Sequence, residues 1–257
     1  MKPILEVKNM SICYERIVVD DVSLSLYQSE VVGLLGRNGC GKSTLLKGIM
    51  GGFPKCEGQV YVYEKDYFAM NTKTRAQYLS MLTQRFDIME GIDAADMIEF
   101  GSYVYSSLWS YHSHQEKVYE IANAFHIQHL LHHEYTKLSE GQKQLVQLAR
   151  LTMQNTPVLL LDEPDSALDF DNRHMIFQWI QEMIKHHQKT GLIVLHDPVV
   201  AFMYCDRILL MEQGRIINEI QPQKETCDEI TLKMQSLYPH LIVKKDIETN
   251  QYYCLTK

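Results

Sequence analysis

A glycine-rich stretch that directly follows a short apolar run constrains the fold of this chain most. The apolar run covers 31–35, and the stretch behind it consists of Gly36, Arg37, Asn38, Gly39, Cys40, Gly41, Lys42, Ser43 and Thr44. Glycines let backbone N–H groups approach phosphate oxygens without a Cβ clash, and a helix N-terminus behind the turn adds unpaired donors and a favourable dipole. The G-x4-G-K-[ST] spacing predicts that Lys42 meets the β- and γ-phosphates and that the Ser43 hydroxyl binds Mg²⁺. We therefore expect a buried strand, a phosphate-binding loop and a helix, which together bind a nucleoside triphosphate.

The length, charge and cysteine content of the chain narrow its class. A chain of 257 residues fits one large α/β domain with inserted subdomains better than two independent domains. The formal net charge of −7 argues against nucleic acid as a partner, because neutralising phosphates needs clustered Lys and Arg. The six cysteines form no C-x-x-C pair and no zinc-ligand spacing, so we expect reduced thiols in a cytosolic protein.

The apolar segments of the chain are short. The N-terminus lacks the basic start and apolar middle of a signal peptide. The longest apolar runs, such as 158–161 and 192–195, have the length of strands, whereas a helix that crosses a bilayer needs about 20 residues. Any role at a membrane is therefore expected to come through a partner.

The apolar pattern changes twice along the chain. Runs of strand type at 4–7, 18–22 and 24–27 predict a small antiparallel sheet. From about 93 to 154 apolar residues recur at spacings of three and four, which predicts helices. Strand and helix patterns then alternate, with strands at 158–161, 192–195, 207–211 and 215–220 and a helix at 172–187. We expect an α/β fold with a P-loop NTPase core, in which a mostly parallel sheet carries helices on both faces, with a small N-terminal antiparallel β subdomain and an inserted α-helical subdomain.

A second signal of phosphate chemistry lies at the end of the strand predicted at 158–161. This strand delivers Asp162, Glu163 and Pro164 at its carboxyl end, the edge where ligands of open α/β sheets bind. Asp162 is placed to hold Mg²⁺ through its water shell, and Glu163 is placed to polarise the attacking water. Alone, such an acid pair could merely start a turn before Pro164. Beside a phosphate-binding loop, we interpret it as the metal and base pair of phosphoryl transfer.

Further motifs stand in a fixed order around these two. They are Gln84 at the end of a strand predicted at 78–83, the signature Leu138-Ser139-Glu140-Gly141-Gln142, the run Ser166-Ala167-Leu168-Asp169, and His196-Asp197. In this order they resemble the ATPase subunits of ABC transporters, over residues 1 to about 220. Glu140 stands where that family usually has glycine. Because Ser139 and Gly141 are the positions expected to face phosphate, we expect Glu140 to be tolerated.

The resemblance implies a single ABC ATPase domain over 1–257. In this division, 1–88 and 155–220 form the nucleotide-binding core with the β subdomain. Residues 89–154 form the helical signature subdomain, and 221–257 form a short C-terminal extension.

The resemblance also implies a head-to-tail dimer, in which each ATP is held between the phosphate-binding loop of one copy and the signature of the other. Ser139 and the Gly141 backbone would meet the γ-phosphate in the opposite copy's site, using the donors of a helix end, and Gln142 would also bind the nucleotide. Gln84 would bind Mg²⁺ or water. His196 would hydrogen-bond the γ-phosphate and orient the attacking water.

Asp169 and Tyr14 each keep two interpretations. Asp169 is expected to cross the dimer contact, and it also suits the N-cap of a helix that begins near residue 170. Tyr14 resembles the aromatic residue that stacks on adenine in this family, and it could equally pack against the small sheet.

A surface for a membrane partner is expected behind Gln84. Apolar and aromatic side chains there predict a groove for a short helix of a membrane subunit, although each of them could instead fill the core of the helical subdomain. They are Phe86, Ile88, Met89, Tyr103, Tyr105, Leu108, Trp109 and Tyr111. The implied partners are a second copy of the chain, integral membrane permease subunits and, indirectly, a periplasmic or lipoprotein substrate-binding protein. The implied location is the cytoplasmic face of the cell membrane.

Segments beyond the shared motifs are similar to one importer branch, the ATPases of ferric-siderophore, haem and vitamin B12 permeases. These segments are 74–84, 97–101 and the C-terminal part with a hairpin pattern at 242–254. His126, His129 and His133 are expected to share a helix face. We interpret them as solvated rather than as a metal site, because no acidic or Cys partner stands at ligand spacing.

Other functions remain open beside the importer. A soluble ABC ATPase of a cytosolic machine, such as one for iron-sulfur cluster assembly, or the ATPase of an exporter would carry the same motifs. A non-catalytic scaffold is disfavoured, since Lys42, Asp162, Glu163 and His196 are all in place.

Overall fold

The architecture is that of a computed structural model, which describes residues 2–53, 56–83, 90–105 and 111–256. The strands within these residues are β1 (Leu5–Cys13), β2 (Ile17–Leu26), β3 (Val31–Gly36), β4 (Cys56–Val62), β5 (Lys65–Asp66), β6 (Leu79–Leu82), β7 (Val158–Asp162), β8 (Thr190–Leu195), β9 (Arg207–Glu212), β10 (Arg215–Ile220), β11 (Leu241–Lys245) and β12 (Tyr252–Thr256). The α-helices are α1 (Lys42–Ile49), α2 (Thr72–Tyr78), α3 (Ala94–Glu99), α4 (Tyr111–Ala124), α5 (Glu140–Gln154), α6 (Phe170–His186), α7 (Pro198–Tyr204) and α8 (Cys227–Met234). Short 3₁₀ helices cover Phe100–Val104, Gln128–Leu130 and Tyr135–Lys137.

A six-stranded sheet in the order β10-β9-β3-β8-β7-β6 forms the centre of the molecule. Neighbouring strands from β9 to β6 are parallel, and β10 pairs antiparallel with β9 at one edge. Every residue of β3, β7 and β8 is buried, as expected for parallel strands that are covered on both faces and therefore read as continuous apolar runs. Parallel strands end at one edge of a sheet, so the segments that follow β3, β7 and β8 meet there.

Side chains of the central strands alternate between two apolar cores. Leu35 and Leu161 belong to the core shared with the helical segments α3 to α7. Their neighbours Leu34 and Leu160 belong to the core shared with α1 and the N-terminal strands. This alternation is that of a pleated strand. The layers confirm the predicted α/β fold.

The N-terminal part forms the predicted small antiparallel sheet, in the order β2-β1-β4-β5. The prediction of separate strands at 18–22 and 24–27 was wrong, because the single strand β2 covers Ile17–Leu26. The pairing of β1 with β2 is irregular near the acidic residues of β2. Asn9 and Asp21 both have a φ of 49°, and Asn9 Nδ2 donates a hydrogen bond of 2.8 Å to Asp21 Oδ1. Such a bulge lets the inward-facing apolar residues on both sides of it keep facing the core.

The segment after β6 is helical where it is described, as predicted, and it packs around α5. Gly101 lets the 3₁₀ helix Phe100–Val104 rest on α5, since a Cβ at Gly101 would lie 2.2 Å from the carbonyl oxygen of Arg150. The strand predicted from residue 78 begins one residue later. Tyr78 instead ends α2, which Asn71 caps with its side chain.

The expectation that three histidines share a helix face was wrong. The helix α4 ends at Ala124, before any of them. His126 has a φ of 57°, His129 lies in the 3₁₀ helix Gln128–Leu130, and His133 follows that turn. All three side chains are exposed. In the described part of the chain, no group of three or more His, Cys, Asp or Glu side chains is arranged to hold a metal ion.

The C-terminal segment folds as α8 followed by the predicted hairpin, β11 and β12. Thr231 joins α8 to the hairpin, because its Oγ1 accepts a hydrogen bond of 2.9 Å from Val243 N. Tyr252 of β12 packs against Phe202 of α7, with ring centroids 5.3 Å apart. None of the helices that the structure describes has both the length and the hydrophobicity needed to cross a membrane.

Candidate nucleotide-binding site

The turn between β3 and α1 has the backbone of a phosphate-binding loop. Gly39 and Gly41 have φ values of 77° and 110°, a region that residues with a Cβ rarely adopt. A Cβ at Gly41 would also lie 2.7 Å from the carbonyl oxygen of Val18, and one at Gly36 would lie 2.4 Å from that of Met211. Neighbouring backbone therefore requires glycine at both Gly36 and Gly41. At Gly39 a Cβ would meet no atom within 4 Å, so this side of the loop is open to a ligand.

Lys42 places a buried ammonium group at the start of α1. The residue is 5 % exposed, and its Nζ donates hydrogen bonds to the carbonyl oxygens of Gly36 at 2.7 Å and Arg37 at 3.2 Å. The loop thus holds this amine with its own carbonyls. Because a buried charge costs free energy unless it is compensated, an anionic ligand beside Lys42 gains from this charge.

Ser43 and Asp162 meet at the carboxyl edge of the sheet. Ser43 Oγ donates a hydrogen bond of 2.9 Å to Asp162 Oδ1. Burial raises the pKa of the Asp162 carboxyl; the hydrogen bond from Ser43 opposes this rise, and the charge of Glu163 adds to it. A cation near this carboxylate would favour its ionised form. Hydroxyl and carboxylate oxygens are ligands that Mg²⁺ accepts, so the residues present fit this ion.

Glu163 and His196 follow the neighbouring parallel strands β7 and β8, and their side chains contact each other. His196 Nε2 lies within hydrogen-bond reach of Glu163 Oε1. Glu163 has a φ of 53°, so the chain turns sharply after β7. A carboxylate beside an imidazole is an arrangement that can activate and orient a water molecule.

Lys42, Ser43, Glu163 and His196 share one cleft of about 400 Å³, and Asp162 is bonded to it through Ser43. It is lined by Val18, Asn38, Gly39, Gly41, Lys42, Ser43, Thr44, Glu163 and His196. The structure therefore joins in one place the phosphate-binding loop, the end of β7 and the end of β8, which lie far apart in sequence.

The signature lies at the N-terminus of α5, apart from the cleft. Ser139 is the N-cap: its Oγ accepts from Gln142 N at 3.3 Å, and Gln142 Oε1 accepts from Ser139 N at 3.0 Å. Glu140 is exposed in the first helical turn and pairs with Lys143 at 2.8 Å. A carboxylate there is favourable to the helix dipole, which agrees with the expectation that Glu140 is tolerated.

Comparison with known proteins decides the family. The sequence model of the family described as ABC transporter matches residues 19–166, more than half of the chain. The chain belongs to the ABC transporter family. This ABC transporter chain is 33 % identical over 230 residues to the hemin import ATP-binding protein HmuV of Vibrio parahaemolyticus, covering 85 % of each protein. It is 29 % identical over 233 residues to the petrobactin import ATP-binding protein FpuD of Bacillus anthracis, covering 89 % of the chain and 85 % of FpuD.

A solved structure supports the same assignment. It is a dimeric ATP-binding cassette in a post-hydrolysis state bound to ADP and Pi, with a TM-score of 0.78 and 26 % identity, and the match covers 85 % of this chain and 98 % of that chain. The chain is accordingly the ATP-binding, ATP-hydrolysing subunit of an ABC transporter.

Three further residues predicted for nucleotide binding in this ABC ATPase lie near the cleft or beyond it. Tyr14 is 56 % exposed, and its ring contacts that of Phe53 edge to face with centroids 5.1 Å apart. Phe53 lies outside the small sheet, so stacking on adenine and packing against that sheet both stay predictions. Asp169 is the N-cap of α6, accepting from Asn172 N at 2.9 Å. The guanidinium of Arg37 points to the C-terminal segment, where it donates to Leu237 O from Nε at 3.2 Å and Nη2 at 3.1 Å.

Several predicted residues lie outside the described part of the chain. Gln84 is one of them, so its predicted role at Mg²⁺ stays a prediction. The same holds for Phe86, Ile88, Met89, Leu108 and Trp109 of the expected groove, and for the side chain of Tyr111. The described members, Tyr103 and Tyr105, are exposed, Tyr103 at 77 %.

Sequence reasoning missed residues that support the site from outside the motifs. Gln144 of α5, which is half-buried, contacts the backbone after β7, and the carbonyl oxygen of Leu237 accepts from Arg37. Val18 lines the cleft from the N-terminal sheet. Gln144 stands one helical turn after Gly141, and this spacing was the available signal. Nothing in the local sequence around Val18 or Leu237 points to the loop.

Proposed function

We propose that this chain powers an importer of iron chelates of the haem or ferric-siderophore type, through ATP hydrolysis at the cleft. The cargo class is supported by two relatives named for import of hemin and of petrobactin. The similarity to the importer branch in segments beyond the shared motifs points the same way. ATP hydrolysis at this site is supported by one observation above all, which is that the fold brings together Lys42, Ser43, Asp162, Glu163 and His196.

The residues predicted to act on ATP have distinct roles in this proposal. The loop N–H groups and Lys42 bind the phosphates, which places the γ-phosphate near the ends of β7 and β8. Glu163 accepts the proton of the attacking water, and His196, in contact with Glu163, orients that water and the γ-phosphate. Ser43 and Asp162 hold Mg²⁺, with Gln84 as a further ligand. Bound Mg²⁺ supplies charge neutralisation at the β- and γ-phosphates.

A second copy of the chain completes the site. Ser139, Gly141 and Gln142 lie at a helix N-terminus and do not line the chain's own cleft, an arrangement suited to the γ-phosphate held by a partner copy. Asp169 stands two residues after Ala167, whose carbonyl oxygen approaches Gly141, and it takes part in the dimer contact. The dimeric state of the similar cassette supports this assembly. Tyr14 stacks on adenine.

Membrane subunits are the proposed partners of the helical subdomain. Exposed Phe100, Tyr103 and Tyr105 follow α3 and suit a helix of a permease subunit. In this assembly the chain lies at the cytoplasmic face of the cell membrane, and a substrate-binding protein delivers the chelate from outside. The proposed division assigns 1–88 and 155–220 to the core, 89–154 to the helical signature subdomain and 221–257 to the extension.

Replacing the proposed base tests the chemistry. Glu163→Gln is expected to bind ATP normally, to lower turnover at least about a hundredfold and to accumulate an ATP-dependent dimer, because hydrolysis no longer opens it. Steady-state ATPase rates and size-exclusion chromatography with and without ATP measure both effects. A control, Glu140→Gln, changes an exposed carboxylate in the signature and should keep turnover within about threefold. Unchanged turnover in Glu163→Gln refutes the assignment.

The cargo and the membrane partner need a separate test. Co-purification with a polytopic membrane protein, lost in Tyr103→Ala, supports the transporter over a soluble machine. Uptake of radiolabelled haem or ferric siderophore that stops in the Glu163→Gln strain supports import over export.

A further inference from the structure

The side chain of Gln144 connects the signature helix to the catalytic turn of the same chain. Its Nε2 donates a hydrogen bond of 3.1 Å to the carbonyl oxygen of Glu163. Its Oε1 accepts a hydrogen bond of 3.3 Å from Ala167 N. One amide group thus contacts the backbone at two points of the turn that follows β7.

The turn that Gln144 contacts is conformationally demanding. Glu163 has a φ of 53°, a conformation that costs free energy in any residue with a Cβ and that persists only where surrounding contacts hold it. Ser166 N also donates to the Glu163 carbonyl, at 3.3 Å, and closes the turn from within. Gln144 is the contact from α5 that holds the same carbonyl from outside.

A second contact shows that the helix and the turn are closely fitted. One turn before Gln144 on α5, a Cβ at Gly141 would lie 3.0 Å from the carbonyl oxygen of Ala167. The first turns of α5 therefore rest directly on the turn, and its backbone cannot shift without moving against the helix.

Glutamine suits this position because it carries a donor and an acceptor on one planar group. Glutamate keeps an acceptor for Ala167 N and loses the donor for the Glu163 carbonyl. Methionine has a similar length and shape and loses both.

We propose that Gln144 is a positioning residue for ATP hydrolysis, which fixes the backbone of Glu163 so that its carboxylate stays against His196 and the attacking water. The inference rests on the proposed role of Glu163 as the base. It assigns to α5 a second task in its own chain, besides presenting Ser139 to a partner copy. Because a displacement of about 1 Å can cost a hundredfold in rate, losing both hydrogen bonds is expected to lower kcat about 10- to 100-fold.

The experiment compares Gln144→Met, Gln144→Glu and the control Lys143→Gln with the unchanged chain. Lys143 neighbours Gln144 on α5 and pairs with exposed Glu140, so the control alters the same helical turn without touching the turn after β7. Steady-state kinetics give kcat and KM for ATP, and thermal unfolding reports folding. The expected result is a lowered kcat in both Gln144 variants, a KM for ATP within about twofold, and unchanged values in the control.

A double-mutant cycle separates positioning from general destabilisation. If Gln144 acts through the Glu163 carboxylate, adding Gln144→Met to Glu163→Gln causes no further loss in single-turnover hydrolysis. An equal loss in both backgrounds, or a wild-type kcat in a folded Gln144 variant, overturns the inference. If Gln144→Met does not fold, Gln144→Glu decides by the same criteria. If the unchanged chain hydrolyses ATP and the Glu163→Gln variant does not, the proposed function stands even when the Gln144 inference fails.

Discussion

Replacing Arg37 by methionine tests the contact between the phosphate-binding loop and the C-terminal segment. The Arg37 guanidinium holds Leu237 O through two N–H groups, at 3.2 and 3.1 Å, while the Arg37 carbonyl accepts from Lys42 Nζ at 3.2 Å. One residue thereby connects the segment that follows α8 to the ammonium that is proposed to bind phosphate. Arg37→Met keeps much of the side-chain volume and removes the contact with Leu237.

The size of the effect follows from the geometry. Both N–H groups reach a single carbonyl oxygen, so they count as one hydrogen bond from a charged donor, worth about 1.5–3 kcal/mol when shielded. Because the Arg37 side chain is exposed, solvent screening reduces this value to about 1 kcal/mol. For a chain of this size, that loss lowers Tm by about 2–4 °C. If the loss appears entirely as weaker nucleotide binding by the loop, the Kd for ATP rises up to about fivefold.

Thermal unfolding and titration with a fluorescent ATP analogue measure the two quantities. The matched control is Lys73→Met, a basic residue replaced on the exposed surface of α2, which should leave both unchanged. Arg37→Lys is expected to have an intermediate effect on both quantities, because its ammonium group keeps the charge and loses the forked geometry of the guanidinium. If Arg37→Met binds ATP and unfolds like the unchanged chain, the contact between Arg37 and Leu237 stabilises neither the fold nor the bound nucleotide. That result refutes the reasoning.

Two further substitutions test other parts of the site. Burial raises the pKa of Asp162, so the folded chain binds this proton more tightly than the unfolded chain, and stability falls as the pH rises through the raised pKa. Asp162→Asn is therefore expected to raise Tm at pH 7, to lose this advantage below about pH 4, and to abolish Mg²⁺-dependent ATPase; a lower Tm at pH 7 would contradict it. Tyr14→Ala is expected to raise the KM for ATP about two- to tenfold, with Tyr14→Phe close to normal, because an aromatic stack contributes about 0.5–1.5 kcal/mol. A drop in Tm without a change in KM would instead assign Tyr14 to packing against Phe53.

The central strands and the motifs were readable from local sequence. The strands β3, β7 and β8 are buried on both faces, so their apolar runs carried the signal directly, and the residues that end them were predicted to meet at one edge. The bounds of strands and helices were harder to predict where a bulge or a helix end interrupts the regular pattern. The prediction divided β2 at Ser23, because a bulge that keeps the inward-facing alternation leaves no simple mark in the sequence. The histidines after α4 were placed on a helix that ends before them.

The supporting contacts of the site depended on tertiary structure. Gln144 reaches Glu163 across 19 positions and Arg37 reaches Leu237 across 200, and no periodicity connects such pairs. They become neighbours only when the sheet order brings β3, β7 and β8 together and the C-terminal segment folds back over α7.

By itself, the sequence determined the class of chemistry, because glycines with a lysine and a serine at fixed spacing, and an acid pair after an apolar strand, have few other physical uses. It also determined the layered fold, through the periods of its apolar residues. Only the tertiary structure decided that Ser43 bonds Asp162, that His196 touches Glu163, and that the signature helix rests on the catalytic turn. The physical reason is that hydrogen bonds and close packing act over a few ångströms in space, and the distance between two residues in space is set by how the whole chain folds.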